Sequence, residues 1–279
     1  MATVLLMALV SVLNWNVWSD NAEISTVVNF IAREKPDIVC LQEVPGPMLE
    51  MLGKIPGYSL VQGRDSIHRS GLRMLPNYLV VLVNSRFSIT KTACMPFKKR
   101  RRDSVFAWLF GIEQTLLGWF LGWEEDLDYQ FIDIRPKGCS AEDVLAHMRI
   151  FNMHLSNAVG PTAREKQFRE VLTHFEQGTP TILCGDLNVL RLKKWWGYLY
   201  RVALSDSWGE LWEKENERFG IMFKKYAFRS ACNDAVTHAP TECHLDYILT
   251  SEKVRVIDER VFHERFGSDH NPMFAKIEF

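Results

Sequence analysis

Thr181-Ile182-Leu183-Cys184-Gly185-Asp186-Leu187-Asn188-Val189 is the stretch on which the reading of this chain turns. Ile182, Leu183 and Cys184 form a short apolar run of the kind that makes a buried strand. The run breaks at Gly185 and at once presents a carboxylate and a carboxamide, two residues apart. Residues i and i+2 of a strand share a face, so Asp186 and Asn188 are expected to look into one space at a strand end. Sheet proteins commonly place chemistry there. Gly-Asp-x-Asn is also ordinary turn chemistry. What decides between the two is whether other segments send matching groups to the same place.

Working outward, the strand rhythm recurs on both sides. Before the stretch lies a helix from Pro161 to Phe175, with Pro161 suited to its first turn and Phe168, Val171 and Leu172 on its apolar face. Arg164 and Gln167 fall on its polar outer face, expected to be solvated. Before that come strands at Tyr129–Ile134 and His147–His154. Earlier still, an apolar run at 3–15, a helix carrying Ile24, Val27, Val28 and Ile31 and stopped at Lys35-Pro36, and a strand from Asp37 to Glu43 follow one another. A helical segment is expected at 47–54, then strands at Tyr58, at Tyr78–Val83, and at Ile89–Met95, the last pairing beside its predecessor. After the stretch, 193–217 reads as helical in pieces and 218–243 has little periodicity. Leu245–Leu249, Val254–Val261 and Asn271–Phe279 close the chain as strands. Many strands with few helices between them, and both ends reading as core strands, predict one α+β domain over 1–279 with more than one sheet.

Composition agrees with a globular enzyme-sized domain. The chain has 279 residues, 47% hydrophobic and 24% charged, enough for a sizeable core. Its net charge is −1, so any attraction to a polyanion or membrane must be local. Cys40 and Cys184 sit in strand-like apolar runs and read as buried free thiols, which suits a reducing, cytoplasmic compartment. Met1 to Val12 has no basic leader and reads as a first core strand rather than a signal peptide. Neither a Gly-x-Ser-x-Gly elbow nor a P-loop is present, which argues against an esterase triad or an NTPase. Cys232, His238, Cys243 and His244 are irregular in spacing and do not read as a zinc site.

Polar residues that a core would not choose stand at several strand ends. They are Asn14 and Asn16, Glu43, His154, Asp186 and Asn188, Asp246, and the pair Asp269-His270 before the last strand. Carboxylates plus amides suit a hard cation such as Mg²⁺. Two histidines with acids nearby suit proton transfer. Asn14 is read as a strand cap beside the motif. His68, His147, His174, His238 and His263 have no motif around them.

In this order, Trp15-Asn16-Val17, Leu41-Gln42-Glu43, Asn152-Met153-His154-Leu155, Gly185-Asp186-Leu187-Asn188, Leu245-Asp246-Tyr247 and Ser268-Asp269-His270 resemble the successive motifs of the endonuclease/exonuclease/phosphatase superfamily of metal-dependent phosphoesterases, spanning residues 15 to 272. The resemblance implies a four-layer α/β sandwich, with two mixed sheets face to face and helices outside. It implies that Glu43 is the principal Mg²⁺ ligand, with Asn16 beside it and Asp269 helping to place the metal or His270. Mn²⁺ is expected to substitute. It implies that His270, oriented by Asp246, contacts the scissile phosphate and transfers a proton. It implies that Asp186 activates or orients the attacking water. Asn188 and His154 hold non-bridging phosphate oxygens, where charge builds in the transition state. Asn77 resembles a family residue lining the substrate site. His244 departs from the Arg that often precedes Leu-Asp-Tyr in the family, so substrate contacts there are expected to differ. The His154 motif resembles the deoxyribonuclease, sphingomyelinase and phosphatase branches, not the abasic-site endonucleases.

An insertion at about 98–128 stands apart. Lys98-Lys99-Arg100-Arg101-Arg102 is followed by the aromatic, apolar stretch 104–123 and then by acidic residues. Three readings stay open: packing on the domain, peripheral contact with a membrane surface through 98–123, and contact with nucleic-acid phosphates. The expected activity is hydrolysis of a phosphodiester, in nucleic acid or a phospholipid head group. A catalytically silent family member serving as an interaction module is the alternative.

Overall fold

The central strands alternate between two destinations, and that alternation builds the layers. The computed structural model describes residues 8–70, 73–98, 123–125, 127–138, 147–157, 159–189, 214–233 and 235–279. In β1 (Leu9–Asn16), Val10 and Val12 enter one apolar cluster while Leu13 and Trp15 enter another. β2 (Ile38–Pro45) repeats this, with Ile38 and Cys40 on the first side and Val39 and Leu41 on the second. β8 (Met148–His154) and β9 (Thr181–Asp186) send Ile150, Ile182 and Cys184 to that same first cluster, and Phe151, Met153 and Leu183 to a third. The shared cluster lies between two sheets, and the other two lie under helices. Strands buried on both faces carry near-continuous apolar runs, which is what made them visible in the sequence.

The first sheet has seven strands, in the order β12 (Arg255–Val261), β13 (Met273–Glu278), β1, β2, β4 (Arg73–Asn84), β3 (Tyr58–Ser70) and β6 (Trp123–Glu125). The second has six, in the order β10 (Arg229–Ala231), β11 (Asp246–Thr250), β9, β8, β7 (Asp128–Pro136) and β5 (Phe87–Pro96). The described helices are α1 (Ile24–Glu34), α2 (Gly46–Leu52), α3 (Pro161–Leu172) and α4 (Glu215–Lys225). Each sheet contains one parallel pair, β1/β2 and β8/β9, among antiparallel neighbours. A parallel pair needs a crossover. α1 supplies the first and α3 the second. Phe30, Ile31 and Met48 of α1 and α2 seal the outer face of the first sheet, and Phe168, Val171 and Phe219 of α3 and α4 seal the second. The fold is the expected α+β four-layer sandwich.

Inner faces change character along their length. Val10, Val12, Asn14 and Asn16 succeed one another on β1; Ile150, Asn152 and His154 on β8; Ile182, Cys184 and Asp186 on β9. Both parallel pairs therefore turn polar at their C-terminal ends, between the sheets. Burying such groups is costly unless they are hydrogen-bonded, so the polar end of the sandwich must be a network.

Several expectations are corrected. β5 pairs with β7 in the second sheet, not beside β4. Residues 218–243 are not featureless: α4 occupies their first turns and β10 follows. Arg164 is not solvated. It is 1% exposed and pairs with Glu215 at 2.7 Å, while the Gln167 side chain accepts from the Ser156 amide. One buried charge in an otherwise polar helical face cannot be told from solvated ones until its partner, far off in sequence, is known. The apolar insertion over 99–122 and the Trp-rich stretch 190–213 lie outside the described residues. Among the described residues no helix is long and apolar enough to cross a membrane. The described cysteines, Cys40 and Cys184 among them, are free.

Candidate active site

Each site residue arrives on an element whose local chemistry explains its pose. β1 ends on Asn16, whose side-chain oxygen accepts from the Trp18 amide, turning the chain. On β2 the register slips between Leu41 and Val44. Glu43 sits in that bulge at φ 54°. A bulge re-aims side chains, and a non-glycine residue at positive φ is held there only by its surroundings. Here the holder is Asp65, whose carboxylate accepts from the Glu43 amide at 2.5 Å. Glu43 is thereby turned toward Asn16, whose Nδ2 donates to its Oε1 at 3.0 Å.

The stretch Gly185–Asn188 is both a turn and a site. Gly185 has φ 156°, and a Cβ there would overlap the Met153 carbonyl. Only glycine lets β9 approach β8 so closely. Asp186 follows, 1% exposed, and its Oδ1 accepts from the Asn188 amide at 2.9 Å, an Asx turn that puts Asn188 at φ 51°. Asn188 then donates through Nδ2 to Leu155 O at 2.9 Å and to His154 Nε2 at 3.2 Å.

Two acid–imidazole pairs flank Asp186. His270 Nδ1 donates to Asp246 Oδ2 at 2.7 Å, and its Nε2 stands 3.7 Å from Asp186 Oδ2. His154 Nδ1 donates to Asp65 Oδ1 at 2.7 Å, and its Nε2 stands 3.9 Å from both Asp186 Oδ2 and Glu43 Oε1. Asn16 Nδ2 closes the ring with a bond to Asp186 Oδ2 at 3.1 Å. Asp65 was invisible to the sequence reading. It lies inside the long β3 with no motif around it, yet it is fully buried and serves both Glu43 and His154.

The electrostatics are those of a buried acidic nest. Burial raises the Asp186 carboxyl, and the neighbouring Asp246 charge raises it further; the two histidines hold the result to about 6. Burial opposes charge on His270, but Asp246, Asp186 and Asp269 outweigh it and lift the ring to about 10. Burial likewise opposes charge on His154, and Asp65, Asp186 and Glu43 hold it well above its ordinary value. A charged His154 would set its Nε2 hydrogen against the Asn188 amide, so charging the ring requires Asn188 to leave that contact. All three shifts run upward, and groups perturbed by burial together with specific charged partners are candidates for proton transfer.

Not every expected residue joins this ring. Asp269 instead turns Oδ2 to His238 Nε2 at 3.3 Å and stands 3.9 Å from His270 Nε2 through Oδ1. Asn77 is buried on β4 and donates to Ser66, the neighbour of Asp65. His244 packs edge-on against Tyr247 and engages the Ala235 carbonyl at 2.7 Å. Asn14 is not a strand cap. It lies inside β1, fully buried, and its Nδ2 reaches Gly185 O and Tyr247 O of the other sheet. Trp15 Nε1 donates to the His270 carbonyl at 3.1 Å, fixing the histidine's loop to β1.

For a cation, Glu43 and Asp186 offer hard carboxylate oxygens bridged by one amide, and these fit a divalent ion such as Mg²⁺; Asn16 turns Nδ2 to both of them and Oδ1 to the Trp18 amide, so it joins as a ligand only if its amide group turns over. Acidic and histidine groups with metal-ligating proximity also occur at Asp186, Asp246 and His270 and at His238, Asp269 and His270.

Comparison with other proteins gives the fold and the family. No curated protein matches the chain significantly. Among solved structures, an endonuclease/exonuclease/phosphatase from Bacteroides vulgatus superposes with a TM-score of 0.65 at 17% identity, covering 98% of this chain and 99% of that one. D. rerio TDP2 complexed with single-strand DNA product gives 0.63 at 14% identity, covering 97% and 99%. ANGEL2, a 2′,3′-cyclic phosphatase, in complex with adenosine-2′,3′-vanadate gives 0.61 at 16%, covering 98% and 96%. These likenesses establish the fold. The sequence profile of the Endonuclease/Exonuclease/phosphatase family matches residues 13–270, from β1 through His270, and the chain belongs to that family.

Proposed function

We propose that this protein is a Mg²⁺-dependent phosphoester hydrolase acting on a phosphodiester. The observation that carries the reading is the convergence of two acid-backed histidines on one buried carboxylate: His154 and His270 bring Nε2 to 3.9 and 3.7 Å of Asp186 Oδ2. Members of the family hydrolyse phosphoester bonds, which supports the reaction class. Glu43 would hold the ion, with Asn16 joining it once its amide oxygen turns from the Trp18 amide toward Glu43, and the bound ion supplies positive charge for the phosphoryl and leaving oxygens. Asp186, with Oδ1 fixed by the Asn188 amide, presents Oδ2 to accept a proton from the attacking water. His270, fixed through Nδ1 by Asp246, presents a cationic Nε2–H to the phosphate. His154 and Asn188 offer further donors where charge builds. The work is positioning and electrostatics, as phosphoryl transfer requires.

Hydrolysis of bis-(p-nitrophenyl) phosphate with Mg²⁺ or Mn²⁺ tests this, with Asp186→Ala and His270→Ala expected to abolish it. Metal-independent turnover, or full activity in both variants, would overturn it. No detectable metal binding by calorimetry would favour a catalytically silent interaction module. Nucleic acid and phospholipid head groups are both proposed substrates, and a panel of DNA, RNA, sphingomyelin and inositol phosphates with Mg²⁺ sorts them. Liposome sedimentation of the wild type against a deletion of 104–123 tests the proposed membrane contact, which equal binding would remove.

A further inference from the structure

Beside the acidic nest, a second cluster has the makings of a metal site that shares only His270 with the proposed reaction. It joins the loop before β11 to the loop before β13. His238 Nε2 lies 3.3 Å from Asp269 Oδ2, and His270 Nε2 lies 3.9 Å from Asp269 Oδ1. The ligand atoms of the three side chains all lie within 4.8 Å of one another.

Three observations go beyond proximity. First, both rings have Nδ1 anchored by an oxygen: His270 on Asp246 at 2.7 Å, His238 on Thr241 Oγ1 at 2.6 Å. That turns His238 Nε2 to Asp269 and leaves His270 Nε2 between Asp186 at 3.7 Å and Asp269 at 3.9 Å. Metal-bound histidines show this arrangement, with the remote nitrogen fixed by an oxygen partner. Second, Asp269 Oδ1 is buried and has no hydrogen-bond partner. Its 3.9 Å separation from His270 Nε2 is too long for a hydrogen bond. Two ligands on one tetrahedral zinc, with bonds of about 2.0–2.2 Å, stand about 3.3–3.5 Å apart, which this pair reaches with a small side-chain shift. Third, the cluster opens to solvent. His238 and Asp269 side chains are 15% and 29% exposed, so an ion has a way in and a fourth position for water.

We propose that His238, Asp269 and His270 bind a borderline cation of the Zn²⁺ type, and that this occupancy inhibits the enzyme. Two imidazoles and one carboxylate suit Zn²⁺, whereas Mg²⁺ prefers oxygen alone. The ion would take His270 Nε2, the atom assigned to the phosphate, so the protein could hold Mg²⁺ at Glu43 and be silenced by Zn²⁺ at His238. The inhibitory half rests on the proposed hydrolase reading; the binding half does not.

The full chain is titrated with Zn²⁺ in excess Mg²⁺ against a chromogenic chelator. Wild type is expected to take up one equivalent, His238→Gln to bind it at least tenfold more weakly, and Glu43→Gln to keep it. Thr241→Val, which removes only the anchor of His238, is expected to weaken binding about tenfold. Equal Zn²⁺ affinity and stoichiometry in wild type and His238→Gln would overturn the site, as would loss of uptake in Glu43→Gln alone. In the activity arm, Zn²⁺ is expected to slow wild type at concentrations that leave His238→Gln at its own uninhibited rate; equal sensitivity would overturn the inhibition. A protein without phosphoesterase activity still reports on the site through the chelator.

Discussion

Asn14 and Asn152, one from each sheet, accept hydrogen bonds from a single donor, Gln42 Nε2, at 2.9 and 2.7 Å. Each then donates across the sandwich. Asn14 reaches Gly185 O and Tyr247 O of the second sheet, and Asn152 reaches Leu41 O and Val80 O of the first. All three side chains are fully buried. They sit one strand step beneath Asn16, Glu43 and His154, where the apolar interior ends. The tie matters because the site is split: Glu43 and Asn16 belong to one sheet, His154 and Asp186 to the other. Asn152→Leu keeps the volume but leaves two carbonyls and one N–H without this partner. Buried groups left unsatisfied cost about 1–3 kcal/mol each. The variant is expected to lose about 3 kcal/mol in urea unfolding and to lose turnover beyond that explained by its unfolded fraction. A stability loss under about 0.5 kcal/mol, the scale of an ordinary surface change, would deny the tie.

Asp65 acts on both halves, through the Glu43 amide and His154 Nδ1. Asp65→Asn preserves shape but removes the charge that supports the imidazole and one of the two strong acceptors. An aspartate that orients a catalytic histidine is worth up to about 10⁴-fold in rate. The variant is expected to lose about 10²-fold or more in kcat with a smaller change in KM, measured on bis-(p-nitrophenyl) phosphate. A change confined to KM would make Asp65 a structural residue only.

Sequence legibility divided along physical lines. α1 and the inner strands were readable because burial on both faces leaves long apolar runs, and because Lys35-Pro36 stops the helix where a left-handed Lys35 caps it. Asn16, Glu43, His154, Asp186 and His270 were readable because each interrupts such a run with a polar residue. The Asx turn at Asp186 was legible too, as one of two readings that turned out to be compatible. Asp65 and Gln42 were not singled out, since a buried polar residue within a strand looks like an exposed one until its partner 89 or 110 residues away is known. Asn14 was misread as a cap for the same reason. The pairing of β5 with β7 escaped because a strand's neighbour is a tertiary fact: Ile89–Met95 would have fitted either sheet by pattern.

Stability of the metal-free protein should fall with rising pH. His270 is lifted to about 10 from an ordinary 6.5, so the folded state binds that proton more tightly than the unfolded state. This stabilisation is fully present below pH 6.5 and is lost as pH rises through 10. Asp186, raised from 3.8 to about 6, works in the same sense over that lower window, because its folded form also prefers the proton. A tenfold difference in proton affinity is worth about 1.4 kcal/mol. Thermal unfolding in EDTA is expected to show Tm declining steadily from pH 6.5 to 10, and His270→Gln to reduce the slope, His154, which is also held well above its ordinary value, supplying the rest. A Tm that rises across this range, or an unchanged slope in the variant, would contradict the charge arrangement around Asp186.

Arg164 and Glu215 make a buried ion pair at 2.7 Å, each side chain 1% exposed, joining α3 to the first turn of α4. Arg164 also donates to the Ser156 and Val159 carbonyls, so it pins the segment that follows His154. A buried pair adds little net stability over a well-packed apolar replacement, but breaking it strands a charge and costs about 3–5 kcal/mol. Glu215→Ala and Arg164→Ala are each expected to fall in that range by urea denaturation. The double variant is expected to cost less than the sum, with a coupling of at least about 1 kcal/mol, because only the first substitution strands a charge. Glu215→Gln, which keeps an acceptor for Arg164 Nε, should cost less than Glu215→Ala. Strict additivity of the two alanine variants would mean that the two helices are held by Phe168 against Phe219, whose rings lie 5.4 Å apart, and not by the charges.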